Sequence, residues 1–255
     1  MTHNGLVQFE QRDAIGFVTL NRPDQLNALS EALIGALQTT FDHIAADDGI
    51  RIVVVTGSGR AFCAGSDIKE LDGISVEEAR RINTLEARVC GTVEELPQPT
   101  IAAVNGYALG GGFGFVLSHD IRVASDRAVF GGPEVKLGWS PPFGLTQAVR
   151  ILGPDLAKEL HLTGRHVNAE EALQCGAAHR VVPHDSLLDS CEELAHELAT
   201  HSPTAMRALK RLTLQQAGNS LMSGLDVEME AFLECFSTPE AKEGIRAFVD
   251  KRGKQ

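Results

Sequence analysis

Gly106-Tyr107-Ala108-Leu109-Gly110-Gly111-Gly112-Phe113-Gly114 follows the β-type segment Thr100-Ile101-Ala102-Ala103-Val104 and opens an apolar stretch suited to a helix. Three successive glycines remove the side chains that would block a ligand, and a helix N-terminus presents unpaired N–H groups with a partial positive charge. Such a turn can hold an oxyanion. The spacing fits neither a dinucleotide fingerprint nor a P-loop, because it lacks Gly-x-Gly-x-x-Gly and a Gly-Lys-Ser/Thr ending. A second small-residue loop, Gly59-Arg60-Ala61-Phe62-Cys63-Ala64-Gly65-Ser66-Asp67-Ile68-Lys69, follows the apolar strand Ile52-Val53-Val54-Val55-Thr56-Gly57. Backbone donors from the two loops can meet at one oxygen. Glu134 is the acidic residue of an apolar, Gly/Pro-rich segment, residues 130–142. In an apolar pocket the charged form of a carboxyl is disfavoured, which suits it to proton transfer near neutral pH.

Other chemistry is poorly supported. Ser118-His119-Asp120 has the residue types of a hydrolytic triad, but consecutive side chains do not converge, so His119 reads as structural. The nine histidines lack metal-ligand spacing and no metal site is expected. The five cysteines, 63, 90, 175, 191 and 235, are odd in number, have no Cys-x-x-Cys pair and read as reduced thiols of a cytoplasmic protein. No secretory signal and no run of about 18 apolar residues is present, so neither secretion nor membrane insertion is expected. A net charge of −11 disfavours nucleic-acid binding. Arg60, Lys69, Lys210, Arg211, Lys251 and Arg252 remain as local cations for an anionic ligand, since charges are screened over about 8 Å at physiological salt.

The elements that must position these residues alternate. Residues 6–10 and 14–20 read as a hairpin, and Ser30 caps a helix over 31–46 carrying Leu33, Ile34, Leu37, Phe41 and Ile44 at helical spacing. A buried strand (52–56), helix (76–95), strand (100–104), helix (111–118) and strand (120–124) follow, a layered α/β order. After Val181-Val182-Pro183 the chain reads as helices over 184–200, 203–217, 221–237 and 239–250. Leu221, Leu225, Met229, Phe232, Leu233 and Phe236 form an apolar stripe with no further layer after it, which fits docking on another subunit.

Together with Leu20-Asn21-Arg22-Pro23-Asp24-Gln25-Leu26-Asn27-Ala28-Leu29 and Glu243-Gly244-Ile245-Arg246-Ala247-Phe248, these loops resemble the crotonase, or enoyl-CoA hydratase/isomerase, superfamily from about residue 6 onward. The resemblance implies a spiral of ββα repeats over 1–195 carrying an acyl-CoA site. It also implies a C-terminal helical oligomerisation region over 196–255, giving a homotrimer or dimer of trimers. By the same resemblance the N–H groups of Ser66 and Gly111 hold a thioester oxygen as it becomes an enolate, with Glu134 as acid/base. Ala64, Ser66, Asp67, Ile68 and Lys69 match the segment lining coenzyme A. Coenzyme A arrives as part of the substrate, and no permanently bound cofactor is expected. Pre-placed donors stabilise charge that develops in the transition state, typically by about 3 to 4 kcal/mol each.

The departures from the family pattern bear on the reaction. Hydratases of the family carry a second glutamate where this chain has Gly114, and a glycine where it has Pro142, which has no N–H to hold a water. One carboxylate suffices to shuttle a proton between C2 and C4 of an enolate, so the pattern resembles the enoyl-CoA isomerase branch more than a hydratase. A hydratase or lyase with a non-standard water site, and a non-catalytic acyl-CoA-binding member, are the alternatives. On this reading a glutamate placed at position 114 is expected to raise hydration. Trp139, Phe143 and Tyr107 fit either the acyl pocket or plain core packing.

Overall fold

The computed structural model describes residues 2–3, 5–215 and 221–252; side chains are described for residues 5–215 and 227–245. The strands are β1 (Thr2–His3), β2 (Val7–Arg12), β3 (Ile15–Leu20), β4 (Ile52–Gly57), β5 (Ala61–Cys63), β6 (Thr100–Val104), β7 (Tyr107–Leu109), β8 (Ile121–Ser125), β9 (Val129–Gly131), β10 (Val167–Asn168) and β11 (Arg180–Val182). The helices are α1 (Glu31–Ala45), α2 (Ile68–Leu71), α3 (Val76–Glu95), α4 (Gly111–Leu117), α5 (Leu145–Leu152), α6 (Pro154–Thr163), α7 (Ala169–Gln174), α8 (Leu187–Ala199), α9 (Pro203–Gln215), α10 (Leu221–Phe236) and α11 (Pro239–Arg252).

One sheet runs β1-β2-β3-β4-β6-β8-β11, antiparallel through β3 and parallel from β3 onward. A smaller sheet runs β10-β9-β7-β5. The long apolar run of β4 is explained by cover on both faces. Val53 and Val55 face a core with Leu33, Leu37 and Phe41 of α1 and Val89 and Val93 of α3. Ile52 and Val54 face a second core with Leu187, Cys191 and Leu194 of α8 and Met206 of α9. Alternation at single-residue steps therefore divides one strand between two cores.

Serine caps start the two long helices of the first core: Ser30 Oγ accepts from Leu33 N at 3.2 Å, and Ser75 Oγ accepts from Glu78 N at 3.1 Å. The expected hairpin, the helices expected over 31–46, 76–95 and 111–118 (α1, α3 and α4) and the expected buried strands all form within a residue or two of the expected bounds. The segment 184–200 opens with a 3-10 turn, His184–Ser186, before α8. The second sheet and α5 to α7 carry no periodic signal that the sequence analysis detects. Strands of two or three residues are too short for alternation to register; here β7 pairs with β5, β9 with β7 and β10 with β9, each return of the chain adding the next strand to the sheet.

The C-terminal helices leave Met229, Phe232, Leu233 and Phe236 about half exposed. Leu221 and Leu225 of the same stripe lie outside the described side chains, as do Lys251 and Arg252. Lys210, one of the candidate cations, is buried on Asp120, the Val93 carbonyl and the Gln98 carbonyl. Arg211 pairs with Glu234. Among the described residues no helix is long and apolar enough to cross a membrane.

Candidate active site

The chain between β4 and α2 is braced by the Asn21–Ala28 region. Asn27 Nδ2 donates to the carbonyls of Ser58 (3.0 Å) and Ala61 (2.8 Å), and its Oδ1 accepts from Arg22 N. The Arg22 guanidinium donates to Asp67 Oδ2 and to the Ala28 carbonyl. Leu29 then pairs with the loop in strand fashion, its N–H on the Gly65 carbonyl and its carbonyl on Asp67 N. In such a ladder the intervening residue directs its own N–H the other way. The Ser66 N–H is thereby turned away from Leu29, and Ser66 lines the same cavity as Gly111 at the start of α4.

The opposing donor comes from the start of α4. Gly111 is the first helical residue, and its N–H has no intrahelical carbonyl to reach. The two loops approach so closely that side chains are excluded. A Cβ on Gly65, whose φ is +94°, would lie 2.8 Å from the Leu109 carbonyl and 3.1 Å from Gly111 N. A Cβ on Gly112 would lie 2.0 Å from the Cys63 carbonyl. The glycines let the backbone of one loop reach the helix terminus of the other.

Glu134 begins a 3-10 turn, Glu134–Leu137, after Pro133, and is buried. Gly110 and Gly132 make room for it: Cβ atoms there would lie 2.9 Å from Oε1 and 3.3 Å from Oε2. Oε2 has no hydrogen-bond partner. Burial pushes its pKa above the ordinary carboxylate value, opposed in part by its own backbone N–H and by His161. Such a group can accept and return a proton.

Ser66, Gly111 and Glu134 line one cavity of about 370 Å³, whose other walls include the apolar side chains of Leu71, Ile74 and Trp139 and the polar ones of Asn83 and Ser140. The geometry thus brings all three residues together. Of the other expected ligand contacts, Ala64 and Ile68 line the cavity, while Asp67 and Lys69 do not. The Asp67 side chain is engaged by Arg22 and by Lys69 N, and the Lys69 side chain is exposed. Trp139 lines this cavity and a neighbouring apolar one, whereas Tyr107 lines neither.

Position 114 is closed. A Cβ on Gly114 would lie 2.8 Å from Gly144 Cα, and one on Gly111 would lie 2.5 Å from the Phe143 ring. The segment after Pro142 occupies the space a side chain at 114 would enter. The expectation that a glutamate at 114 supplies a water-holding carboxylate therefore fails on sterics. Phe143 is a cover for α4, not a cavity wall.

Glu86 is a residue that the sequence analysis missed. It sits on the buried stripe of α3 with Ile82, Val89, Cys90 and Val93, 1 % exposed. Oε2 accepts from Ser66 Oγ at 2.8 Å, and Oε1 is buried without a partner. Burial pushes its pKa up to about 7, against the Ser66 hydroxyl and helped by the charge of Glu70. A carboxyl at an apolar helical position was the signal available in the sequence.

His119 stays apart from Asp120. Its Nδ1 lies 2.8 Å from the Phe115 carbonyl among Phe62 and Phe115, and burial pushes its pKa down to about 3. Asp120 instead accepts from Thr100 and Lys210. Among the described residues, no group of three or more His, Cys, Asp and Glu side chains has the geometry to hold a metal.

Known proteins are similar to this chain over nearly its whole length. The sequence pattern of the enoyl-CoA hydratase/isomerase family matches residues 10–255. A short-chain enoyl-CoA hydratase of Clostridium acetobutylicum is 38 % identical over 96 % of this chain and 95 % of its own. A 2,3-dehydroadipyl-CoA hydratase of Escherichia coli is 37 % identical over 97 % and 96 %. The crystal structure of an enoyl-CoA hydratase from Bacillus anthracis superposes with a TM-score of 0.93 at 36 % identity, covering 96 % of each chain. With the match to the family pattern, the sequence identity to its members and the shared fold, the chain belongs to the enoyl-CoA hydratase/isomerase family of the crotonase superfamily.

Proposed function

We propose that the protein moves the double bond of an enoyl-CoA thioester, with the N–H groups of Ser66 and Gly111 holding the enolate oxygen and Glu134 carrying the proton. Glu134 removes a proton from C2 of a 3-enoyl thioester. The electron pair delocalises onto the thioester oxygen, and the same carboxyl returns the proton at C4. The observation that supports this most is that, among the described residues, Glu134 is the one carboxyl on the cavity wall. Glu134 lines the cavity with an unpartnered Oε2, while Gly144 closes the place where a second carboxylate would enter at 114. Proton return needs one base that stays in place.

Hydration is the second reading, and the names of the relatives favour it, since those described above are hydratases. It requires a water held by groups other than residues 114 and 142. Retention of a buried acid/base at Glu134 weighs against a member that only binds acyl-CoA.

The test is a panel of 2-enoyl-, 3-enoyl- and 3-hydroxyacyl-CoA thioesters, with products resolved by mass and chromatography. Isomerisation leaves the mass unchanged, hydration adds one water, and cleavage splits the acyl group. The isomerase reading expects faster conversion of a 3-enoyl thioester than hydration of crotonyl-CoA. Hydration with kcat near or above about 10³ s⁻¹ overturns it.

A further inference from the structure

A buried carboxyl with no cation beside it among the described residues calls for an account, because removing a carboxylate from water is costly unless it is paired and fully hydrogen-bonded. Glu86 has one partner, the Ser66 hydroxyl, and its other oxygen has none. A hydrogen bond to a hydroxyl does not require an acid, since an amide would accept it as well. Glu86 is therefore a titrating group set directly behind the residue whose N–H faces the enolate.

We infer that Glu86 is a positioning residue of the enolate site: in its protonated form it anchors the Ser66 hydroxyl and fixes the oxyanion donor, and its ionisation shuts the site down. The inference rests on the role proposed for Ser66. Two effects act together when Glu86 loses its proton. A negative charge forms behind the donors and opposes the negative charge developing on the substrate oxygen in a medium that screens it poorly. The unpartnered oxygen also becomes charged, which favours water entry and loosens the Ser66 loop.

The surroundings offer no competing explanation for this titration. On α2, Glu70 adds like charge. Cys63 of β5 and Cys90 of α3 are thiols that burial keeps neutral. Arg22, the cation of the adjoining loop, is engaged by Asp67 and the Ala28 carbonyl. Glu134, the carboxyl on the cavity wall, acts in the opposite direction: as a base it must be ionised, so it sets the acid limb of the rate profile and Glu86 the alkaline limb.

The experiment compares pH profiles of kcat/KM for wild type and Glu86→Gln on the best thioester of the panel. Wild type is expected to lose about tenfold per pH unit above neutrality, and Glu86→Gln to lack that limb while keeping the acid one. An alkaline limb unchanged in the variant overturns the inference. A second measurement needs neither turnover nor a folded Glu86 variant. In protein labelled with ¹³C at the glutamate carboxyl, and carrying Glu134→Gln so that the other buried carboxyl is absent, Glu86 is titrated by NMR. A carboxyl titrating near pH 7 that moves up by about one unit when acetoacetyl-CoA binds as its enolate supports the inference. Titration in the ordinary carboxylate range, or no response to the bound enolate, overturns it. Loss of turnover on every thioester together with a normal NMR response would instead count against the proposed reaction alone.

Discussion

Glu134→Gln keeps the size and burial of the side chain and removes its capacity to take a proton. Turnover is expected to fall by about 10² to 10⁴, while acyl-CoA affinity, measured by calorimetry, changes little. Undiminished turnover in the folded variant rules out Glu134 as the base. Gly114→Glu gives the complementary result. Its Cβ enters van der Waals space already filled by Gly144, so the variant is expected to lose roughly 1 to 3 kcal/mol of stability and to gain no hydration of crotonyl-CoA. Denaturant melts and the hydration assay read these two effects separately, and a stable variant with raised hydration contradicts the closed position.

At the level of elements, the proposed oxyanion donors depend on how two loops are held, and the Asn21–Ala28 region does much of the holding. Asn27 adopts a φ of 55° and ties two carbonyls of the Ser58–Ala61 turn to itself. Asn27→Ala leaves both carbonyls and the Arg22 N–H without that partner, and Asn27 is fully buried. A loss of about 2 to 4 kcal/mol is expected, with kcat falling more than affinity, because Ser66 shifts relative to Gly111. A variant with normal stability and kcat shows that the turn holds itself. The start of α4 is the counterpart: Gly110 has a φ of 54° and directs its N–H to the Gly131 carbonyl, so β7, α4 and β9 lock together at the cavity wall.

Two consequences belong to the whole molecule. The half-exposed Met229, Phe232, Leu233 and Phe236 of α10 form an apolar face, costly to leave in water. A trimer or hexamer through the C-terminal helices is expected by light scattering at micromolar concentration, and a monomer there refutes it. The second consequence is a pH dependence of stability. Folded Glu86 keeps its proton up to about pH 7, whereas the unfolded side chain releases it near 4.5, so its contribution falls as pH rises through that window. His119 works in the opposite sense: the unfolded ring takes a proton below about 6.5 and the folded ring does not until about 3, so stability is lost as pH falls between them. The slopes oppose one another between pH 4.5 and 6.5. Glu86→Gln removes one of them and is expected to raise stability at pH 8, relative to pH 4.5, by up to roughly 3 kcal/mol. Parallel stability curves for wild type and variant contradict this.

The amino-acid sequence determined the α/β layering, the serine-capped helices and the small-residue loops, because periodicity, caps and glycine runs are local properties. Ser66, Gly111 and Glu134 were picked out from their loops and from the family resemblance those loops carry, and the structure places all three on one cavity. What only the tertiary structure decided involves residues brought together from distant positions. The bracing by Asn27 depends on carbonyls more than thirty residues ahead. The closure of position 114 depends on Gly144, and the coupling of Ser66 to Glu86 depends on α3 packing across the loop. The second sheet is similar: its strands are too short to announce themselves, and each return of the chain adds the next strand to the sheet. Local patterning specifies which elements form, while burial and close approach between elements decide what each polar group can do.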